Sequence, residues 1–248
     1  MKRCVYIIGG TTEANRAAAR LEAEGWRVVM SVATALGAGL SQAALIQTGP
    51  KDAAAMAAGA VAAGADAILD CSHPYAVRAT AESRRAAGLV KIPYLRYTRP
   101  AAATPGADKV GSWRDAAGRL AEAGGPALLA IGSRNLNCFV ATGVDVTARV
   151  LPMPESLAAC AAAGIGPGNI IAAQPPFSTD FNRACLRRAR ARVLVTKDSG
   201  AEGGLPEKLA AAEAEGALVL MIVRPPEPED TLYDLDGVAR MLAGLPVP

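Results

Sequence analysis

The chain has 248 residues, 51% hydrophobic and 20% charged, which suits one large globular domain or two of ordinary size and excludes a disordered chain. The formal charge of +3, with no run of bases interleaved with aromatics, argues against nucleic acid, and the longest uncharged Ala-rich run, 53–65, is short of the roughly 20 residues a membrane span needs. Five widely spaced cysteines without a CxxC, beside one histidine, exclude a metal cluster and predict reduced thiols in the cytoplasm.

The N-terminus, MKRCVYIIGG, enters a strand at once and lacks the long apolar stretch of a signal peptide. The strand Val5–Ile8 breaks at Gly9-Gly10. Ala14, Ala17, Ala18 and Leu21 then recur at helical spacing, with Thr11 or Thr12 as the cap. A strand over Arg27–Val32 follows, then a helix over 51–63 and a strand over Asp66–Asp70. A helix over Val77–Ala87 and a strand over Ile92–Tyr97 come next. Residues 99–112, RPAAATPGADKVGS, have no periodicity and read as a linker. The alternation then restarts with helix 113–123, strand Ala127–Ile131 and a short helix opened by GSRNL. Strand 144–150, helix 154–163, strand Ile170–Ala173, helix 180–190 and strand Arg192–Thr196 continue it. Helix 206–215 and strand Ala217–Val223 complete the second unit. RPPEPED reads as a turn, and 234–243 as a final helix.

Alternating strands and helices predict an α/β fold. The boundaries divide it into an N-terminal domain (1–100), a linker (101–112) and a C-terminal domain (113–248), with mainly parallel sheets and a cleft between the domains.

Several loops at predicted strand ends could carry chemistry. In GGTTE, Gly9 and Gly10 let a backbone approach a ligand, and the helix start at Thr11 and Thr12 offers N–H groups to an anion; a tight turn also uses glycine for steric reasons alone. NAD sites usually carry an acidic residue at the end of the second strand, to hold the ribose 2′-OH. Here that strand, RVVMSVAT, offers Ser31 and Thr34, so a dinucleotide bound here would be NADP rather than NAD. In DCSHPYA, Pro74 biases the only histidine, His73, towards an extended conformation, so that His73 and Tyr75 project from a strand end. GSRNL repeats the glycine device with Gly132, Ser133, Arg134 and Asn135. TKDSGAEGGLPEK places Lys197, Asp198, Ser199 and Gly200 after a strand, then Gly203 and Gly204, with Pro206 suited to a first helical turn. In QPPFSTDFN, Phe177 could stack on a planar ligand, with Ser178 and Asn182 as hydrogen-bonding partners; a loop that merely caps a sheet has the same composition. The charge run LRRARARV reads as a solvated helix face.

Taken in order, GGTTE, the D-x-x-H-P-[FY]-A segment at 70–76, GSRNL, the PFS-x-x-x-N stretch and TKDSG-x-x-GG resemble the precorrin-6A reductase family of cobalamin synthesis. The likeness runs from residue 5 to about residue 210. Cys71-Ser72 stands where Ala-Thr is expected, and Pro175 where Gly is expected. The resemblance implies two Rossmann-like domains with the active site between them. It implies reduction by NADPH of one carbon–carbon double bond of the tetrapyrrole precorrin-6A, giving precorrin-6B, with neighbouring pathway enzymes as further partners. On this footing the cofactor contacts are Gly9, Gly10, Thr11, Thr12, Gly132, Ser133, Arg134, Asn135, Lys197, Asp198, Ser199 and Gly200. The substrate contacts are Ser72, His73, Phe177, Ser178, Asn182, Gly203 and Gly204, with Lys197, Arg134 and Arg16 as cations for its carboxylates. His73, Tyr75 and Lys197 are the candidates to supply a proton, unless water does so.

Two other readings share the fold. One is a non-catalytic two-domain sensor of a nucleotide or anionic metabolite; the other is an NADP-dependent reductase of another small substrate. The dense TKDSGAEGG loop together with DCSHPYA speaks for the enzyme, since fold alone does not choose a substrate.

Overall fold

The structure is a computed structural model, and its described residues are 2–33, 39, 43, 45–49, 52–101 and 104–246. Thr34 and Lys51 lie outside them. The chain divides into two compact units, residues 1–100 with 225–248, and residues 101–224.

In the first unit the strands are β1 (Cys4–Ile8), β2 (Arg27–Val32), β3 (Leu45–Thr48), β4 (Ala67–Asp70), β5 (Tyr94–Tyr97) and β12 (Thr231–Leu232). They form one parallel sheet in the order β12-β5-β4-β1-β2-β3. Its helices are α1 (Thr12–Ala23), α2 (Ala53–Ala62), α3 (Val77–Val90) and α9 (Leu235–Ala243). All five residues of β1 are buried, as befits a parallel strand covered on both faces. Val5 and Ile7 pack with Ala14, Ala17, Ala18 and Leu21 of α1 and with Val238 and Leu242 of α9. Tyr6 and Ile8 point the other way, towards Met56, Ala57 and Ala60 of α2 and Ala86 and Ala87 of α3. Alanine on the helix faces lets backbone and sheet approach closely, so a chain with 4% aromatics still builds a dense core.

In the second unit the strands are β6 (Ala107–Val110), β7 (Ala127–Ala130), β8 (Val146–Val150), β9 (Ile170–Ala172), β10 (Val193–Lys197) and β11 (Leu218–Ile222). They form a second parallel sheet, ordered β6-β11-β10-β7-β8-β9. The helices are α4 (Trp113–Ala123), α5 (Leu136–Val140), α6 (Pro154–Ala162), α7 (Thr179–Arg188) and α8 (Leu205–Ala214). One core cluster joins Leu128, Leu194, Val219 and Met221 of the sheet to Cys185 and Leu186 of α7 and to Leu205, Ala211 and Ala212 of α8.

Two expected boundaries need correction. The predicted linker 101–112 contains β6, which pairs with β11. The predicted C-terminal domain 113–248 ends at Arg224, because residues 225–248 return to the first unit. There β12 extends the sheet beside β5, with Thr98 N donating to Leu232 O at 3.1 Å. RPPEPED is also more than a turn. Its Glu227 accepts two hydrogen bonds, at 2.9 and 3.1 Å, from Arg96, whose side chain is 1% exposed. A buried guanidinium needs such a partner, and it finds one 131 residues away.

Each sheet has one point where the strand order reverses, between β1 and β4 in the first and between β7 and β10 in the second. Open α/β sheets bind ligands beyond the carboxyl ends of the strands at that point. GGTTE and DCSHPYA leave the first sheet, and GSRNL and TKDSG the second, at these two places, while QPPFSTDFN follows the edge strand β9.

Candidate functional site

At the first reversal point, Gly9 and Gly10 follow β1. A Cβ on Gly9 would come within 2.6 Å of Met30 Cγ and Sδ, and Gly10 has φ +96°, so packing fixes one glycine and backbone conformation the other. Thr11 caps α1, its Oγ1 accepting from Ala14 N at 3.1 Å and donating to Cys71 O at 2.7 Å. That second bond ties the β1 loop to the β4 loop. Thr12 and Gly10 are exposed, and the first-turn N–H groups of α1 face the same rim.

Beyond β4, Asp70 is fully buried. It accepts from Ser72 N (2.9 Å) and the Tyr94 hydroxyl (3.0 Å), and Arg96 Nη1 lies 3.3 Å from it. Burial and the Asp70 carboxylate push the Tyr94 phenol well above its ordinary range. Burial, seconded by Asp70, also keeps the Cys71 thiol protonated. His73 to Ala76 form a turn closed by Ala76 N to His73 O at 2.7 Å, with Pro74 at the position where a proline presets φ.

His73 and Tyr75 are half-buried, with ring centroids 5.6 Å apart. Arg99 Nη2 lies 3.4 Å from His73 Nε2, and Arg99 Nη1 pairs at 2.6 Å with Glu13 Oε1. Glu13, from GGTTE, is itself buried. Glutamate, arginine and imidazole thus form a connected row across the rim. Ser72 is buried and is bonded to Thr80 and Arg96, so it serves the loop rather than a ligand. Arg16 is exposed on α1.

At the second reversal point, Gly132 (φ +81°) and Asn135 (φ +111°) bend the loop after β7, and Arg134 is exposed. Burial, with a smaller push from Arg134, holds the Lys197 ammonium below the ordinary lysine value. Asp198 is buried and bound through both oxygens, 3.1 Å each, to Arg224; Oδ1 also accepts from Gly200 N at 3.2 Å. The expected cofactor contact at Asp198 is therefore a brace that shapes the loop. Gly200 has φ +66° and ψ −177°, a region open essentially to glycine. Ser199 Oγ donates to Gly203 O at 3.1 Å and accepts from Lys208 Nζ at 3.3 Å.

The QPPFSTDFN loop has a structural logic of its own. Ser178 caps α7 by accepting from Phe181 N at 3.2 Å. Asn182 is 3% exposed, donates to Ser178 O at 2.8 Å and accepts from Arg149 Nη1 at 2.7 Å. Asn182 is committed to holding the loop rather than to a ligand as expected, whereas Ser178 is exposed and its hydroxyl hydrogen is left to a further partner. Phe177 stacks on Phe181 at 4.8 Å and carries the Arg149 guanidinium 4.5 Å over its ring. It also lines a cavity of about 160 Å³ beyond β7, β8 and β9, with Gly132, Gly203, Arg149 and Lys208.

The family described as precorrin-6x reductase CbiJ/CobK matches residues 4–243. The chain belongs to this family. It is 33% identical over 234 residues to the cobalt-precorrin-6A reductase of Methanothermobacter thermautotrophicus, covering 90% of this chain and 77% of that protein. It is also 33% identical over 250 residues to the precorrin-6A reductase of Rhodococcus erythropolis, covering 96% of each. A solved structure of CobK precorrin-6A reductase superposes with a TM-score of 0.78 at 27% identity, covering 99% of this chain and 98% of that one.

Set on this precorrin-6x reductase fold, the sequence-derived residues fall into two groups. Gly9, Gly10, Thr11, Thr12, Ser72, His73 and Tyr75 gather at the first unit's reversal point. Gly132, Ser133, Arg134, Asn135 and Lys197–Gly200 gather at the second, with Phe177, Gly203 and Gly204 in the loops beside it. Sequence reasoning missed Glu13, Arg99, Arg149 and Lys208. Glu13 lies inside a quoted motif, and Lys208 sits four residues after Gly204, so both had a signal. Arg99 lies in the presumed linker and Arg149 in a strand without a motif, so neither did. No helix among the described residues is long and apolar enough to cross a membrane. Nor do they gather a cluster of acids, histidine and cysteines that could hold a metal.

Proposed function

We propose that this chain reduces one carbon–carbon double bond of the tetrapyrrole precorrin-6A, giving precorrin-6B, with NADPH as the reductant, in the cytoplasm. The observation that carries the reading is the coincidence of the family's whole span, residues 4–243, with motif loops converging on a reversal point in each unit. The sensor and the reductase of another substrate give no reason for that match.

The residues fit a phosphorylated dinucleotide. Gly9 has no room for a side chain and Gly10 adopts a left-handed backbone, so this loop stays bare. The α1 N-terminus behind it favours an anion. The end of β2, with Ser31 and Val32, has no carboxylate to repel a 2′-phosphate. Arg134 and Lys197 place positive charge at the other reversal point. A bound nicotinamide supplies the reducing electrons; the chain must orient ring and macrocycle and keep water out.

In this reading the Lys197 ammonium, already destabilised by burial, releases a proton more readily than an exposed lysine and is a suitable donor. His73, beside Arg99, serves as a hydrogen-bonding group that positions the substrate, with Tyr75 at its flank. His73→Ala is therefore expected to weaken substrate binding more than it slows the chemical step.

Fluorescence titration through Trp26 and Trp113 with NADPH and, separately, NADH tests the assignment. Low-micromolar binding of NADPH, much tighter than NADH, followed by NADPH oxidation on adding precorrin-6A, is the expected result. Absence of NADPH oxidation with the macrocycle present would overturn it.

A further inference from the structure

Where the chain leaves the second unit for the first, residues 224–227 read RPPE, and each end of this short stretch is anchored to a motif loop of its own unit. Arg224 holds the TKDSG loop. Its Nε and Nη2 each lie 3.1 Å from one oxygen of Asp198, whose Oδ1 accepts from Gly200 N at 3.2 Å and whose backbone N donates to Ile222 O at 3.0 Å. Lys197 is the residue before that brace. Glu227 acts on the DCSHPYA loop through Arg96. It takes Nε at 2.9 Å and Nη2 at 3.1 Å, which turns Nη1 towards the loop. There Nη1 donates to Ser72 O at 2.8 Å and stands 3.3 Å from Asp70 Oδ1. His73 is the residue after that grip.

Both pairs are bidentate, so they fix direction as well as distance. In one the segment supplies the guanidinium, and in the other the carboxylate. None of the four side chains is more than 10% exposed, and losing one member would leave its partner's charge buried. Attachment of the C-terminal segment does not require this. The pairing of β12 with β5 and the burial of Val238 and Leu242 on α9 already fasten it. What the two forks add is the setting of two loops. Only Pro225 and Pro226 separate the anchors, and a proline ring locks φ at about −65°, so the connection has few conformations.

We infer that Arg224 and Glu227 are positioning residues, and that the proline pair couples them, so that a change at one anchor is felt in the loop held by the other. The inference rests on the reductase reading for what the loops do, since His73 and Lys197 serve the macrocycle there.

The test uses the full chain, first without ligand and then in turnover. Arg224→Lys keeps the charge and loses the planar fork; Glu227→Gln keeps the shape and loses the charge. The C2–H resonance of His73 reports on one loop, and the signal of 13C-methylated Lys197 on the other. Arg224→Lys is expected to shift the His73 resonance, and Glu227→Gln the Lys197 signal. Each variant is expected to lose about 10- to 100-fold in kcat for NADPH oxidation with precorrin-6A, as for small misplacements of reacting groups, with the KM for NADPH changed less. In a Pro225→Gly, Pro226→Gly background the crossed shifts should vanish; their persistence would show that the prolines do not carry the coupling. Variants that lose stability but move only the signal of their own loop would make the forks local braces and overturn the coupling. An unchanged kcat in both would overturn the positioning role. If Glu227→Gln does not fold, Glu227→Asp is measured in its place. A parent protein that oxidises no NADPH with the macrocycle ends the reductase reading, while the crossed shifts, read without ligand, still decide the coupling.

Discussion

His73 is the only imidazole in the chain, and its setting determines what it can do. Arg99 Nη2 approaches one ring nitrogen at 3.4 Å and Tyr75 N approaches the other at 3.3 Å. Both are donors, and an imidazolium has no lone pair for either. A neutral ring, with its single lone pair, accepts one of the two. Glu13 fixes Arg99 in that position. In Arg99→Met the cation is gone and the Glu13 carboxylate remains, so both changes favour protonation. The single imidazole C2–H resonance in proton NMR should then titrate at higher pH than in the parent; an unchanged midpoint would show that Arg99 does not govern the ring. Lys197 makes the opposite case. Its folded pKa is lowered by burial and by Arg134. The charged form thus costs stability at every pH below the folded pKa, and that cost fades as pH rises towards the ordinary lysine range. After reductive 13C-methylation, the Lys197 signal should titrate below those of exposed Lys91 and Lys109, and should move up when an anionic ligand binds. Coincident titration would remove Lys197 as the favoured proton donor.

Among the elements, every strand inside a sheet was legible, and of the four edge strands only β9 was. β1, β7 and β10 are buried on both faces, so they appear as short apolar runs bounded by glycine or charge. Three unforeseen strands, β3, β6 and β12, all lie at sheet edges. Leu45 and Ile46 of β3 are exposed, β6 reads Ala-Asp-Lys-Val, and β12 has two residues. An edge strand buries too little to need a hydrophobic pattern, so its pairing comes from backbone hydrogen bonds supplied by a neighbour. The glycine loops were legible as loops, but the reason for each glycine was not. Gly9→Ala would force its methyl into Met30, which is fully buried. It should lower stability by about 1–3 kcal/mol, the usual range for overpacking, in chemical denaturation. An unchanged midpoint would mean that the loop or Met30 shifts freely and that packing does not fix Gly9.

For the whole molecule, the chain does not finish one unit before starting the other. Residues 225–248 return to the first sheet, where α9 buries Val238 and Leu242 against α1 and the strands. Glu227 is the charge that secures this return, through the buried Arg96. Glu227→Gln removes one of the two carboxylates beside that guanidinium, while Asp70 stays at 3.3 Å. A loss of up to about 3 kcal/mol is expected, the low end for breaking a buried pair. Chemical denaturation of parent and variant measures it directly. No loss would show that β12 and α9 hold the segment by apolar contacts alone.

The sequence by itself determined the alternation of strand and helix, the parallel sheets, the order of the motif loops and the family, because each rests on patterns local to a few residues. Tertiary structure alone decided which unit owns the C-terminal segment and which motif residues face outward. It also decided that Asp198 and Asn182 brace loops, that Glu13 and Arg99 pair beside His73, and that Arg149 and Lys208 line one cavity. Those outcomes depend on contacts between distant positions, such as Arg96 with Glu227 and Glu13 with Arg99. Burial and charge pairing set them, and neither is a property of sequence neighbours.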